Sequence, residues 1–317
     1  MVGLQAKAHR KQNSLTVQQM AAADLRLPEA LSLSEYLRRA QAVILPRELS
    51  ETAEPMVTDT TARFSVGVDL GTAYLVLVVL DEGGLPVAGE WQFAQVVRDG
   101  LVVDFVGAVD LLLGMKQRIE RRIGRELVHA ASAYPPGVPQ AEVRATAHVV
   151  EAAGFSCSGL IDEPSAANNV LALRDGAIVD VGGGTTGIAI LRDGEVVYTA
   201  DEATGGVHFS LVLAGALGLS LEEAESLKLT RSEQPRLYPL VYPVMEKVAS
   251  IVNRHIRNQH VETIRLVGGT SAFPGIAQVI QDYTGVSTRV PENPLFITPL
   301  GIALHAPASS EIGLEQA

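Results

Sequence analysis

Residues 64–80 read FSVGVDLGTAYLVLVVL, and residues 177–190 read AIVDVGGGTTGIAI. Each stretch has two apolar runs of strand length, broken by a short turn that contains glycine. Each therefore predicts strand, tight turn, strand. In both, the first strand ends on an aspartate, Asp69 or Asp180, followed by one apolar residue and a glycine. The next segments repeat as well. DEGG at 81–84 and RDGE at 192–195 are hairpin-turn sequences leading into LPVAGEWQF and VVYTA. Helical patterns come next in both halves. The chain predicts an internally duplicated α/β fold.

The remaining elements fit that outline. Phe105, Val109, Leu112, Ile119 and Ile123 recur at three-to-four spacing and predict an amphipathic helix. A strand near 127–133, a PPG turn at 135–137 and a helix over 140–153 complete the first half. Helices are expected over 210–217, Leu221–Leu229 and 238–258, then a strand over 263–269 and a helix from 275. Residues 1–62 read differently: helix-like patches at 17–27 and 31–45 precede a stretch rich in Thr, Glu and Pro, the composition of a linker. The expected organisation is a partly helical, flexible extension over 1–62 and a first lobe over 63–178. A second lobe follows over 179–290, and 291–317 return to the first lobe and end in a tail.

Of the 317 residues 47% are apolar and 19% charged, which excludes bulk disorder. The net charge of −11 argues against holding nucleic acid or an anionic membrane by overall field. The one cysteine, Cys157, sits in FSCSG and reads as a loop residue; it allows no intrachain disulfide, which suits a reducing cytosol. The uncharged run at 203–221 is broken by glycines and polar residues, so no membrane insertion is expected. Metal-binding His and Cys spacings, a nucleophile elbow and a Walker A run are absent from the sequence.

A strand ending in Asp, then Gly and Thr, can cradle phosphate, because glycine lets backbone N–H groups approach oxyanions. The aspartate serves a different partner, Mg²⁺ held through water. One such turn has a plain structural reading as a hairpin. Two in a duplicated chain can face each other and grip one polyphosphate. A third glycine element, LVGGTS at 266–271, again ends a strand and precedes a helix.

These residues resemble the actin-like ATPase superfamily, which includes actin, DnaK-type chaperones and MreB. VGVDLGTAYLVLVV is similar to its first phosphate motif and VDVGGGTTGIAIL to its second. IDEPSAANNVLA and PENPLFITPLGIALHA resemble the two connecting segments, and RLVGGTSAFPGI the adenosine motif. Together they cover about residues 64–306 in family order. ADEATGGVHFSLVLAGALGLSLEEAE, VVRDGLVVDFVGAV and PPGVP further resemble the branch that serves bacterial ethanolamine utilisation. The resemblance implies two RNase-H-like lobes with ATP and Mg²⁺ in the cleft between them. It also implies a cytoplasmic, chaperone-like role on a protein partner, either an ethanolamine-degrading enzyme or a microcompartment component.

Carried over by position, Asp69 and Asp180 would orient Mg²⁺ and water, and Glu163 would act on the attacking water. Gly71, Thr72 and Ala73, with Gly182, Gly183, Gly184, Thr185 and Thr186, would line the phosphates. Glu225 and Lys228 would meet the ribose and flank adenine, and Gly268, Gly269 and Thr270 would close over the nucleoside. Pro135 matches the proline that couples nucleotide state to lobe rotation. Glu163 beside Pro164 also reads as a helix-start carboxylate, Glu225 with Lys228 as a solvated surface pair, and Pro135 as a turn residue. The chain departs from the pattern at Tyr74, Leu75 and Val76, where relatives carry small polar residues, and at His208 and Ser210, where they carry acidic ones. These departures predict nucleotide binding with slow hydrolysis. A reactivating ATPase for an adenosylcobalamin enzyme, an actin-like scaffold or filament protein, and a small-molecule kinase stay open as alternatives.

Overall fold

The structure, a computed structural model, describes residue 28 and residues 31–56, 62–98 and 101–306. The described chain begins with α1 (Leu33–Val43), β1 (Ile44–Pro46) and α2 (Arg47–Ser50). The first lobe continues through β2 (Ser65–Leu70), β3 (Tyr74–Leu80), β4 (Pro86–Phe93) and the small ribbon of β5 (Val97–Arg98) with β6 (Leu101–Val102). It then runs through α3 (Phe105–Ile123), β7 (His129–Tyr134), α4 (Gln140–Ala152), β8 (Ser156–Asp162) and α5 (Glu163–Leu171). The second lobe holds β9 (Gly176–Val181), β10 (Thr186–Arg192), β11 (Glu195–Glu202), α6 (Gly206–Leu217), α7 (Leu221–Leu229) and α8 (Gln234–Ile256). β12 (Thr263–Val267), α9 (Ile276–Thr284), β13 (Ser287–Arg289) and α10 (Ile297–His305) close the chain.

The duplication is visible strand by strand. In the first sheet β4-β3-β2-β7-β8 lie in that order, with β2–β3 and β3–β4 antiparallel and β2–β7 and β7–β8 parallel. The second sheet, β11-β10-β9-β12-β13, repeats both the order and the directions. Strands buried on both faces explain the continuous apolar runs seen in sequence, since β3 hides six of its seven residues. Each lobe has its own core. Leu75, Leu77 and Val79 pack with Leu112, Met115 and Ile119 of α3, while Ile188 and Ile190 pack with Val241, Met245 and Val248 of α8.

A further core joins the lobes through α10. A methyl on Gly67 of β2 would stand 2.7 Å from the Pro299 carbonyl oxygen, so only glycine lets this helix lie against the central strand. Gly301 makes a still closer approach to the Ala166 backbone on α5. The last described helix therefore packs on the first lobe.

Three expectations are corrected. Residues 32–50 are not a flexible extension. Ser32 caps α1 with Glu35 in a reciprocal capping box, Tyr36 and Leu37 are fully buried, and the Tyr36 hydroxyl donates to the Gly84 carbonyl at 2.9 Å. β1 then adds a sixth strand, parallel to β4. The expected helix patch at 17–27 lies outside the described residues. The expected boundary after residue 178 falls inside β9, which belongs wholly to the second sheet. Cys157 lies on strand β8, half-buried, with its thiol against the Gly159 carbonyl, and burial pushes its pKa up.

Because Leu37 is fully buried in the core that joins the lobes, Leu37→Ala is expected to lower unfolding stability by about 2–5 kcal/mol. A denaturant titration measures this. A loss below about 0.5 kcal/mol would mean that α1 contributes nothing to the lobe.

Candidate functional site

The two glycine turns are equivalent hydrogen-bonded hairpins. The Gly71 N–H donates to the Tyr74 carbonyl at 3.1 Å, and the Gly182 N–H to the Thr185 carbonyl at 3.0 Å. The turns also touch. A methyl on Gly183 would stand 2.9 Å from the Ala73 nitrogen, and one on Gly184 2.7 Å from the Thr72 Cγ2. The lobes thus meet tip to tip at the very residues expected to line the phosphates.

Gly71, Thr72, Ala73, Gly182, Gly183, Gly184 and Thr185 line one cleft with Asp69, Asp180, Glu163 and Pro135. Glu225, Lys228, Gly268, Gly269 and Thr270 line its other end. Thr186 is the exception. It is fully buried at the start of β10, and its hydroxyl donates to the Thr204 carbonyl at 2.6 Å, so it braces the turn from behind.

Further contacts hold the second turn from below. The Gly206 and Val207 N–H groups, at the first turn of α6, donate to the Gly182 and Gly183 carbonyls at 2.9 and 2.8 Å. The Thr270 hydroxyl donates to the Gly182 carbonyl at 2.9 Å. Gly268 has φ of 85°, and its missing side chain leaves room for the Asp180 carboxylate. The His208 ring accepts from the Gly205 N–H at 3.2 Å and caps α6, which gives this departure from the family pattern a local structural role.

Three half-buried carboxylates line the cleft where the turns meet. Burial raises Asp69 to about 7, with the nearby Asp180 adding to it. Burial likewise raises Asp180 to about 6, against the Thr298 hydroxyl, which donates to its Oδ2 at 3.2 Å. Glu163, at the first position of α5 behind its Asp162 cap, is raised well above the ordinary range by burial, then by Asp180 and Asp69. Thr298 was missed by sequence reasoning. It lies in the connecting segment, and only the seating of α10 brings it to Asp180.

At the other end of the cleft, Glu225 and Lys228 form a buried ion pair at 2.6 Å rather than a solvated one. The Ser210 hydroxyl donates to the same Glu225 oxygen, Oε2, at 2.6 Å, and Lys228 also donates to the Gly206 carbonyl at 3.2 Å. The other Glu225 oxygen, Oε1, accepts from the Tyr74 hydroxyl at 3.0 Å. This bond crosses from β3 of one lobe to α7 of the other. Burial, with Glu225 beside it, pushes the Tyr74 phenol well above its usual range, so the bond keeps its proton at neutral pH. Cleft closure leaves about 110 Å³ of open volume, below the ~300–1,000 Å³ of a typical ligand pocket.

Two lobes of one topology, joined through a core that includes α10 and meeting at paired Asp-x-Gly turns, define an actin-like ATPase fold. Comparison with known proteins agrees. A family model described as type IV pilus assembly protein PilM matches residues 146–298. The ethanolamine utilization protein EutJ of Escherichia coli (strain K12) is 45% identical over 258 residues, 80% of this chain and 91% of that protein. The crystal structure of EutJ from Carboxydothermus hydrogenoformans has a TM-score of 0.79 at 43% identity, covering 86% of this chain and 98% of that one. MreB 5 of Spiroplasma citri bound to AMPPNP shares the fold, with a TM-score of 0.60 at 18% identity over 77% of this chain and 95% of that one. The chain belongs to the EutJ family of ethanolamine utilization proteins. No single helix among the described residues is long and apolar enough to cross a membrane.

The raised carboxylates have a pH consequence. Asp69 and Asp180 bind protons more tightly folded than unfolded, so these groups make stability fall as pH rises from about 4 through about 7. The protein is expected to be more stable to urea at pH 5.5 than at pH 8 through these groups. Asp69→Asn should stabilise it at pH 8 and flatten the profile. An unchanged profile in Asp69→Asn would contradict the raised pKa of this carboxyl.

Proposed function

We propose that the chain binds ATP or ADP with Mg²⁺ between its lobes. The change in lobe separation then acts on a protein partner, an ethanolamine-degrading enzyme or a microcompartment component. The observation that carries this reading is the direct apposition of the two glycine turns over the half-buried Asp69 and Asp180. Their backbone N–H groups suit phosphate oxygens, and entry of a polyphosphate between them requires the tips to part.

The donor set suits Mg²⁺. Among the described residues no three ligating side chains are arranged to hold a metal unaided, and Mg²⁺ keeps several waters and takes phosphate oxygens. Asp69 and Asp180 would orient that water shell. When bound, the ion supplies the positive charge that lets both aspartates stay ionised at neutral pH. Glu163 faces the same space from the start of α5 and would accept a proton from water.

Turnover is slow in this reading. Among the described residues Lys228 is the only cationic side chain lining the cleft, and its ammonium group is engaged by Glu225 and Ser210 at the nucleoside end. The phosphate end thus relies on backbone N–H groups for transition-state charge, with no described arginine or lysine to assist. The bridge between Tyr74 and Glu225 supports the switching part of the proposal. Glu225 is the residue expected at the ribose, so nucleotide and Tyr74 compete for it. Binding energy is thereby coupled to lobe position. Membership of the EutJ family supports a role in ethanolamine utilization, and association with a microcompartment is part of this proposal.

Calorimetry with MgADP is expected to show saturable binding that weakens sharply in Asp69→Ala and Asp180→Ala; equal affinity in the folded double variant would overturn the assignment. Glu163→Gln is expected to lower ATP turnover about 10²–10⁴-fold with binding little changed. Unaltered turnover would leave Glu163 as a helix-start residue.

A further inference from the structure

Gly187 of β10 has an aspartate on either side. Its partner across one ladder is Asp180 of β9, and across the other it is Asp201 of β11. Residues opposite one another in neighbouring strands point to the same face of a sheet. Asp180 and Gly187 both line the cleft, so Asp201 shares the face that looks into it.

The glycine leaves a gap in this row. A methyl on Gly187 would stand 3.7 Å from the Asp201 Oδ1 and 3.8 Å from the Asp180 Cβ, so the Asp201 carboxylate leans over Gly187 toward Asp180. Neither of the usual backbone reasons accounts for this glycine. It lies inside a strand without the positive φ found at Gly268, and the nearest atoms are those two side chains at ordinary contact distance. Glycine weakens a strand interior, and one that no neighbouring backbone crowds marks room for a ligand. Asp201 is also held from behind. Glu202 points to the opposite face, where Arg254 and His255 of α8 meet its Oε1 at 2.5 and 3.0 Å. Burial is the main influence raising Glu163 and Asp180, and the charge of Asp201 adds to both. Asp201 itself is exposed, so it meets a partner through water.

We propose that Asp201 is a metal-positioning residue, holding with Asp180, across the gap over Gly187, the water shell of the Mg²⁺ that accompanies the nucleotide. The inference rests on the nucleotide reading above and adds a residue to it that the glycine turns do not contain. Mg²⁺ suits this row because it keeps several of its waters. Removing a side chain that orients a metal's surroundings typically costs about 10–100-fold in metal affinity. The rival role is plain repulsion, in which one more negative charge weakens ADP binding equally with and without metal.

Calorimetric titration of ADP into the full chain, once with saturating Mg²⁺ and once in EDTA, separates the two. The ratio of the two affinities is expected to fall about tenfold in Asp201→Asn. The loss should lie in the magnesium titration, with binding in EDTA equal or tighter because a like charge is gone. Gly187→Ala places a methyl in the gap at ordinary contact distance. It should fold as the wild type does by circular dichroism and lower the ratio as well. Asp201→Glu should restore part of the loss. Glu195→Gln makes the same charge change at the far end of β11 and should leave the ratio as it is. An unchanged ratio in Asp201→Asn or Gly187→Ala would overturn the proposal, including the case of equal tightening under both conditions. A wild type that binds ADP equally with and without Mg²⁺ would overturn it while leaving nucleotide binding intact. Absence of any ADP binding would overturn the nucleotide reading and this proposal with it.

Discussion

Asp69, Asp180 and Glu163 are held together, half-buried, where the two glycine turns meet, and the rest of the architecture is arranged around that unfavourable arrangement. Burial is the largest influence raising all three, and each sits within reach of another carboxylate. Such a cluster persists only because the surrounding structure over-determines it. Thr298 donates to Asp180 from α10, Gly268 makes room for the same carboxylate, and Asp162 fixes the start of α5 that carries Glu163. A protein built this way favours an occupant that brings positive charge to the turns.

Duplication explains how one chain achieves this. Each sheet carries an aspartate one residue before the end of its central strand, β2 or β9, and turns back through a glycine hairpin closed by the same hydrogen bond. The first lobe differs by the graft of α1 and β1, which cover the outer edge of β4. β1 stops at Pro46, a residue that cannot donate to the ladder, and leaves Gln92 and Phe93 on a free edge.

Much of this was legible in the sequence because it rests on local signals. The aspartates, the glycine turns and the strand runs around them are set by period and turn chemistry, and they fall where expected. Leu221–Leu229 is helical, as its pattern indicates, and starts on the Ser220 cap. Other features depend on approach between distant segments, and those were not legible. Nothing in the TAY triplet reveals that Tyr74 reaches across to Glu225, since the bond spans two lobes 151 residues apart in sequence. Thr186 resembles its neighbour Thr185 in sequence, and only strand register turns it inward to Thr204. Residues 32–50 have the composition of an appendage, and their burial follows from α1 packing against β4, which brings Tyr36 and Leu37 into the joined core. The FSCSG segment is short and polar, and its strand character comes from pairing with β7.

In the proposed switch the cleft is a closed state held by turn-to-turn contact and the Tyr74–Glu225 bridge, and nucleotide opens it. Spin labels at Val106 and Leu211 report lobe separation, because both side chains are exposed, one on α3 and the other on α6. Cys157 is the sole native cysteine, so Cys157→Ser gives a clean background. Electron–electron distance measurement should give a longer label separation with saturating MgADP than without it, and Tyr74→Phe should shift the nucleotide-free distribution toward the longer distance. Identical distributions in all three samples would contradict the account.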